Sequence, residues 1–161
     1  MTKCVTVDSR GFSFIELIVA MGILAVLASM VLPMAEVTIK RSKELQLRRS
    51  LESIRNAIDA YKYDYDQAVA EKKIMVNLDD TGYPKELEDL TKGVNWGGLY
   101  QYPKKYLRSI PRDPFNTTEQ GWGKRSYIDE SDAIFWGGED IYDVYSQSSE
   151  QSLDGSYYRN W

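Results

Sequence analysis

The chain has 161 residues, 43% of them hydrophobic, and a formal charge of −4, enough for one domain with a modest core. Histidine is absent and Cys4 is the only cysteine, which excludes His-based triads, His-ligated zinc or haem, and an intrachain disulfide. The acidic balance, with no basic patch interleaved with aromatics at binding-motif spacing, argues against nucleic acid as a partner.

From Phe12 to Leu32 the chain reads F-S-F-I-E-L-I-V-A-M-G-I-L-A-V-L-A-S-M-V-L, and Glu16 is its one charged side chain. As a helix of about 21 residues rising about 1.5 Å each, this run covers about 31 Å, the hydrocarbon thickness of a bilayer. A carboxylate in such a run costs about 2.5–3.5 kcal/mol at the bilayer centre, less near the interface where it can snorkel, and a residue kept at that cost usually has a task. Ahead of the run, the charged segment Met1 to Arg10 ends at the small residue Gly11. A secretory signal peptide places its small-residue cleavage site behind the apolar run, so cleavage after Gly11 would leave the helix attached.

Gly11-Phe12-Ser13-Phe14-Ile15-Glu16 followed by apolar residues resembles the class III signal of type IV pilins and type II secretion pseudopilins. The resemblance implies that a prepilin peptidase cuts after Gly11 and methylates Phe12, that Phe12 and Glu16 act in assembly, and that Pro33 is the family's helix-weakening proline. It implies a leader over 1–11, a transmembrane and filament-core helix over 12–34, an amphipathic periplasmic helix over 35–70 and a globular α+β part over 71–161. Losing Lys3, Arg10 and Asp8 with the leader leaves 18 basic and 23 acidic side chains, and Cys4 goes with them. Basic residues by themselves point the other way round, with Lys3 and Arg10 before the helix against Lys40, Arg41, Lys43, Arg48 and Arg49 after it. The resemblance implies a leader on the cytoplasmic side of the inner membrane and the rest in the periplasm.

Past Pro33, which removes a hydrogen bond to the Ser29 carbonyl and predicts a kink, the helical pattern resumes. Leu47, Leu51, Ile54, Ile58, Tyr61 and Tyr65 alternate spacings of four and three, one face of an amphipathic helix reaching Ala70. Asp79 to Gly82 has turn chemistry. Tyr83-Pro84 followed by Leu87 and Leu90 predicts a short helix stapled to the core, similar to a structural element of major pseudopilins. Gly93 to Lys105 reads as a loop whose Trp96, Leu99, Tyr100 and Tyr102 fold back on the domain. Pro111-Arg112-Asp113-Pro114-Phe115 also resembles a major-pseudopilin element; two prolines fix the backbone and Asp113 is placed to accept backbone N–H groups, a structural aspartate.

Strands are predicted at 125–128, 133–136 and 141–145, a minimal antiparallel sheet that needs a helix to pack on. In many major pseudopilins the loop corresponding to Ser146 to Trp161 binds calcium. Here Ser149-Glu150-Gln151 replaces the family's Pro-Asp-Gly and the paired acids are missing, so Glu150 and Asp154 are the only candidate ligands, and a serine-rich loop closed by Asp154-Gly155 and pinned by Trp161 is the favoured reading.

The fold expected is α+β and pilin-like: a long N-terminal helix, transmembrane then amphipathic, packed on a small antiparallel sheet with a C-terminal loop. The function expected is a structural, non-enzymatic subunit of a type II secretion pseudopilus that works without a cofactor. Its partners would be further copies of itself, the prepilin peptidase, other pseudopilins, the inner-membrane platform, and membrane lipid before assembly. The alternatives are a type IV pilin or minor pilin-like subunit, or a membrane-tethered periplasmic enzyme or glycan-binding module using carboxylates and the aromatics of Trp96 to Tyr106.

Overall fold

One helix dominates the computed structural model, which describes residues 11, 13–77, 80–116 and 121–161. This helix, α1, is Phe14–Ala70. It runs on through Pro33, whose side chain lies outside the described residues, as do residues 1–10 and Phe12 of the processing signal. The chain divides into two compact units, one ending at Ile39 and one from Lys40 to Trp161.

In the first unit, α1 is apolar on all sides and exposed on all sides: Phe14, Ile15, Leu17, Ile18, Val19, Met21, Ile23, Leu24, Val26 and Leu27 are all uncovered. A soluble helix buries one stripe and wets the other, so this stretch is built for an apolar surrounding. Its most apolar window has a mean hydropathy of 2.5, and it is long enough to cross a membrane.

The second unit is built on the other half of α1. Leu47, Leu51, Ile54, Ala57 and Ile58 are buried against Leu87, Leu90, Trp122, Ile141, Val144 and Tyr158. Tyr61 packs beside this core, its ring 4.8 Å from that of Trp96 and nearly perpendicular to it. The spacing of these positions predicts which face turns inward, and the buried set is that face.

After α1 the chain crosses to a one-turn helix, α2, Asp89–Lys92. It starts later than the Pro84 start predicted from sequence. The Pro84 carbonyl accepts the N–H of Ile141 (2.8 Å), and the Asp89 carboxylate accepts the N–H of Glu86 (3.0 Å), so residues 84–88 form a turn that ties this segment to the sheet. The following loop is closed by reciprocal backbone bonds between Val94 and Lys104 (3.0 Å each) and folds Trp96 inward to 5% exposure.

The sheet has two described strands, β1 Gly123–Arg125 and β2 Asp143–Tyr145, antiparallel with Gly123 opposite Tyr145 and Arg125 opposite Asp143. Both are shorter than expected, and the strand expected at 133–136 is a loop. β1 stops at Ser126 because Asp129 turns back to accept its N–H and hydroxyl (2.7 Å each). Over 133–136 the backbone acceptors go to side chains instead of a neighbouring strand: Ala133 to Arg125 Nε (3.0 Å) and Ile134 to the Tyr145 hydroxyl (3.0 Å). The β-rich composition of Ala-Ile-Phe-Trp thus met no ladder partner. The C-terminal loop ends in a 3-10 turn, Tyr158–Asn160, with Tyr158 fully buried and its ring stacked 4.0 Å from that of Phe115. The architecture is an α+β, pilin-like one: a long N-terminal helix with a small antiparallel sheet.

Candidate functional site

The processing signal sits where α1 begins. Gly11 is exposed, the Ser13 carbonyl accepts the N–H of Leu17 (3.1 Å) as the first helical bond, and Glu16 lies in the first turn. A carboxylate there faces the positive end of the helix dipole. Glu16 makes no ion pair with another described residue, and its neighbours Ile15, Leu17 and Ile18 are apolar and exposed. One flank of the same stretch is notched at Gly22, where Val19, Gly22, Ile23, Val26 and Leu27 line a shallow apolar groove of about 340 Å³.

Several carboxylates of the second unit hold it together. Asp64, fully buried on α1, takes the Lys104 ammonium at 2.7 Å and accepts the hydroxyls of Tyr106 (2.6 Å) and Tyr100 (2.8 Å). The Trp96 indole N–H in turn donates to the Tyr106 hydroxyl (2.6 Å). Burial pushes the Asp64 carboxyl up, but the hydrogen bonds from Lys104, Tyr106 and Tyr100 outweigh it and hold its pKa below the ordinary value. Burial and the bond to Asp64 together drive the Tyr106 phenol far up. Of the four aromatics from Trp96 to Tyr106, Trp96 and Tyr106 turn inward and Tyr100 is partly exposed with its hydroxyl on Asp64, whereas Tyr102, expected to fold back on the domain, is exposed.

Asp143 on β2 is shared by two arginines: Arg55 Nε of α1 at 2.7 Å and Arg125 Nη1 of β1 at 3.3 Å. Arg55 continues to the carbonyls of Val144 (3.1 Å) and Trp161 (2.8 Å), joining helix, sheet and C-terminal loop through one side chain. Asp113 accepts the N–H of Phe115 (2.8 Å) and the hydroxyl of Ser146 (2.6 Å), while the carbonyl of its neighbour Pro111 takes the Trp122 indole (2.8 Å). Pro84 is buried, and Tyr83 stacks on Tyr127 with centroids 5.8 Å apart. Asp140 accepts the hydroxyl of Thr81 and the N–H of Tyr127 (2.9 Å). The sequence gives Asp64, Arg55 and Asp143 no mark of their pairing, since their partners lie tens of residues away; only their position beside the apolar stripe hints at it.

The calcium question is decided by donor chemistry. Asp154 Oδ1 accepts the Ser152 hydroxyl, the Ser156 N–H (2.9 Å) and the Ser156 hydroxyl (2.6 Å), which hold its pKa down to about 2. The Trp161 indole donates to Ser156 Oγ (2.8 Å), and Glu44 of α1 accepts the N–H of Leu153 (2.8 Å) and the Tyr158 hydroxyl (3.0 Å). Glu150 joins this turn through its backbone, its N–H to Ser148 Oγ (3.3 Å) and its carbonyl from Tyr158 N–H (3.3 Å). Calcium asks for six to eight oxygen ligands, several of them charged. Among the described residues no three acidic side chains are grouped to hold a metal, and Oδ1 of Asp154 is taken up by three hydrogen-bond donors. The residues present do not fit calcium.

A long exposed apolar helix with a first-turn glutamate, leading into a small α+β unit, is a pilin-like architecture. The family model of the prokaryotic N-terminal methylation motif matches residues 8–32. The chain is similar to the type II secretion system core protein G of Pectobacterium carotovorum subsp. carotovorum, 28% identical over 116 residues. That match covers 69% of this chain and 65% of that protein, a little under two thirds of its length. No solved structure matches. In its methylation motif and its long apolar helix the chain resembles a pseudopilin.

Proposed function

We propose that this chain is a structural subunit of a type II secretion pseudopilus, cut after Gly11, methylated on Phe12 and assembled from the inner membrane with its second unit in the periplasm. The observation that carries the reading is a methylation motif over 8–32 that leads into α1, whose described side chains from Phe14 to Leu27 are apolar and uncovered apart from Glu16, unpaired among the described residues. An isolated subunit keeps an uncompensated carboxylate in the apolar layer. Cleavage would add an amine on Phe12, and pairing Glu16 with the Phe12 amine of a neighbouring subunit neutralises both charges, so assembly removes a penalty carried by the lone subunit. The prepilin peptidase, other pseudopilins and the inner-membrane platform are the partners this role requires. The C-terminal loop works without a metal, because serine hydroxyls and Glu44 supply the closure.

The test is the amino terminus and the assembly state of the protein from its host. Mass spectrometry is expected to find a chain beginning at N-methylated Phe12, and Glu16→Ala is expected to leave cleavage intact while filament yield collapses. A mature protein still beginning at Met1, or normal filaments from Glu16→Ala, would overturn the assignment.

A further inference from the structure

The connection between β1 and β2 carries the most exposed aromatic tip of the second unit. Phe135 is 81% and Ile134 59% exposed, beside the exposed Tyr127 and Ile128. The tip is braced: Arg125 and the Tyr145 hydroxyl hold the carbonyls of Ala133 and Ile134, and the Trp136 indole donates to the Asp140 carbonyl (2.6 Å). Exposed apolar groups on a braced loop mark a contact surface. Around them stand Glu130, Asp132 and Glu139, all exposed and none in an ion pair among the described residues, with no basic residue anywhere from 126 to 142.

The same unit carries the complement. Arg41, Leu45 and Arg49 follow one another at i, i+4 and i+8, one row along α1 turned away from the core residues. Leu45 is 50% exposed, and neither arginine makes an ion pair among the described residues. A groove of about 440 Å³ opens there, lined by Ser42, Leu45, Gln46, Arg49, Ser53 and Pro111.

Among the described residues no ion pair joins the two surfaces within one chain. The tip is tied through Arg125 and Asp143 to Arg55, which lies ten residues beyond Leu45, about 15 Å along the axis, and about 120° round the helix from Arg49. An apolar tip with unpaired acids and an apolar groove with unpaired arginines, set at different heights and on different sides, fit another copy of this chain. We propose that Phe135 and Ile134 of one copy dock over Leu45 of the next, with Glu130, Asp132 and Glu139 meeting Arg41 and Arg49. Tip and groove are different surfaces, so the contact is heterologous and propagates as an open helical array. Apolar burial supplies the adhesion and the charges supply the register. This inference rests on the filament reading and names the subunit contact outside the membrane helix.

The experiment uses the full chain in its host membrane, with Cys4→Ser, Leu45→Cys and Phe135→Cys, followed by shearing of filaments, mild oxidation and a non-reducing gel. A ladder of covalent multimers is expected, whereas a disulfide closed within one chain would leave only monomer on the gel and overturn the docking. In a second arm, Arg41→Glu with Arg49→Glu is expected to lower filament yield about tenfold, and Glu130→Lys, Asp132→Lys and Glu139→Lys added together to restore most of it. Filaments that give no ladder overturn the docking and leave the pseudopilus reading standing. Cross-linking that stops at dimers overturns the head-to-tail geometry, and a cross-link to a different polypeptide overturns the second copy as occupant. A wild-type chain that never assembles removes the filament reading and this contact with it.

Discussion

Asp64 shows what a single residue decides here. It is a charge with no exposed surface, tolerated because Lys104, Tyr100 and Tyr106 converge on it and tie the 94–106 loop to α1. Asp64→Ala is expected to cost about 1–3 kcal/mol in thermal unfolding of the detergent-solubilised chain, since it leaves the inward-turned Tyr106 hydroxyl without its acceptor while the exposed Tyr100 and half-exposed Lys104 relax into water. Its pKa is depressed in the folded state, so its contribution is present above the unfolded carboxyl's pKa of about 3.9 and is lost as pH falls through the lower folded value. Asp154, held down to about 2, acts in the same direction. Stability should therefore be flat above about pH 5 and decline below about pH 4, and Asp64→Asn should flatten that decline in an acid titration followed by near-UV circular dichroism. Gly123 is a second such position. The Tyr145 ring lies where its Cβ would go, so Gly123→Ala is expected to cost about 1–3 kcal/mol by overpacking, without any backbone strain at its own residue.

At the scale of elements, α1 carries the clearest sequence signal and the sheet the weakest. The four-and-three spacing from Leu47 to Tyr65 identifies a helix and its inward face, because each apolar residue must return to the same side every 3.6 positions. Leu47→Ala or Ile54→Ala is expected to destabilise by about 2–5 kcal/mol, whereas Leu45→Ala, on the outward row, should leave the melting temperature of the subunit nearly unchanged. Ala133 to Trp136 has strand composition and is a loop, since composition cannot tell whether a neighbouring strand will be at hand to accept its hydrogen bonds. The C-terminal loop is closed by Asp154, two serines and Trp161 and anchored to Glu44 of α1. Chelation by EDTA is expected to leave its melting temperature unmoved, and Asp154→Ala to lower it; a fall with EDTA restored by calcium would show that the loop uses a metal after all.

For the whole molecule, one helix runs through both units: its described side chains are uncovered up to Ile39, and from Lys40 onward one face of it is part of a folded core. Gly11→Val is expected to leave the uncut precursor in the membrane fraction on an immunoblot, with no filament, because the branched side chain replaces the small residue at the expected scissile bond. Replacing that glycine disturbs no packing among the described residues, since none of them lies within contact distance of a Cβ at Gly11. The long apolar run, the methylation motif, the amphipathic stripe and the structural turns around Asp113 were all legible in the chain, because each is a local pattern of period, size or charge read within a few residues. What only the tertiary structure decided were the pairings across it: Asp64 with Lys104, Asp143 between Arg55 and Arg125, Glu44 under the C-terminal loop, and an aromatic tip left outside while Trp96 went in. Those depend on which distant segments the packed core brings within hydrogen-bond reach, a condition that no local stretch of sequence contains.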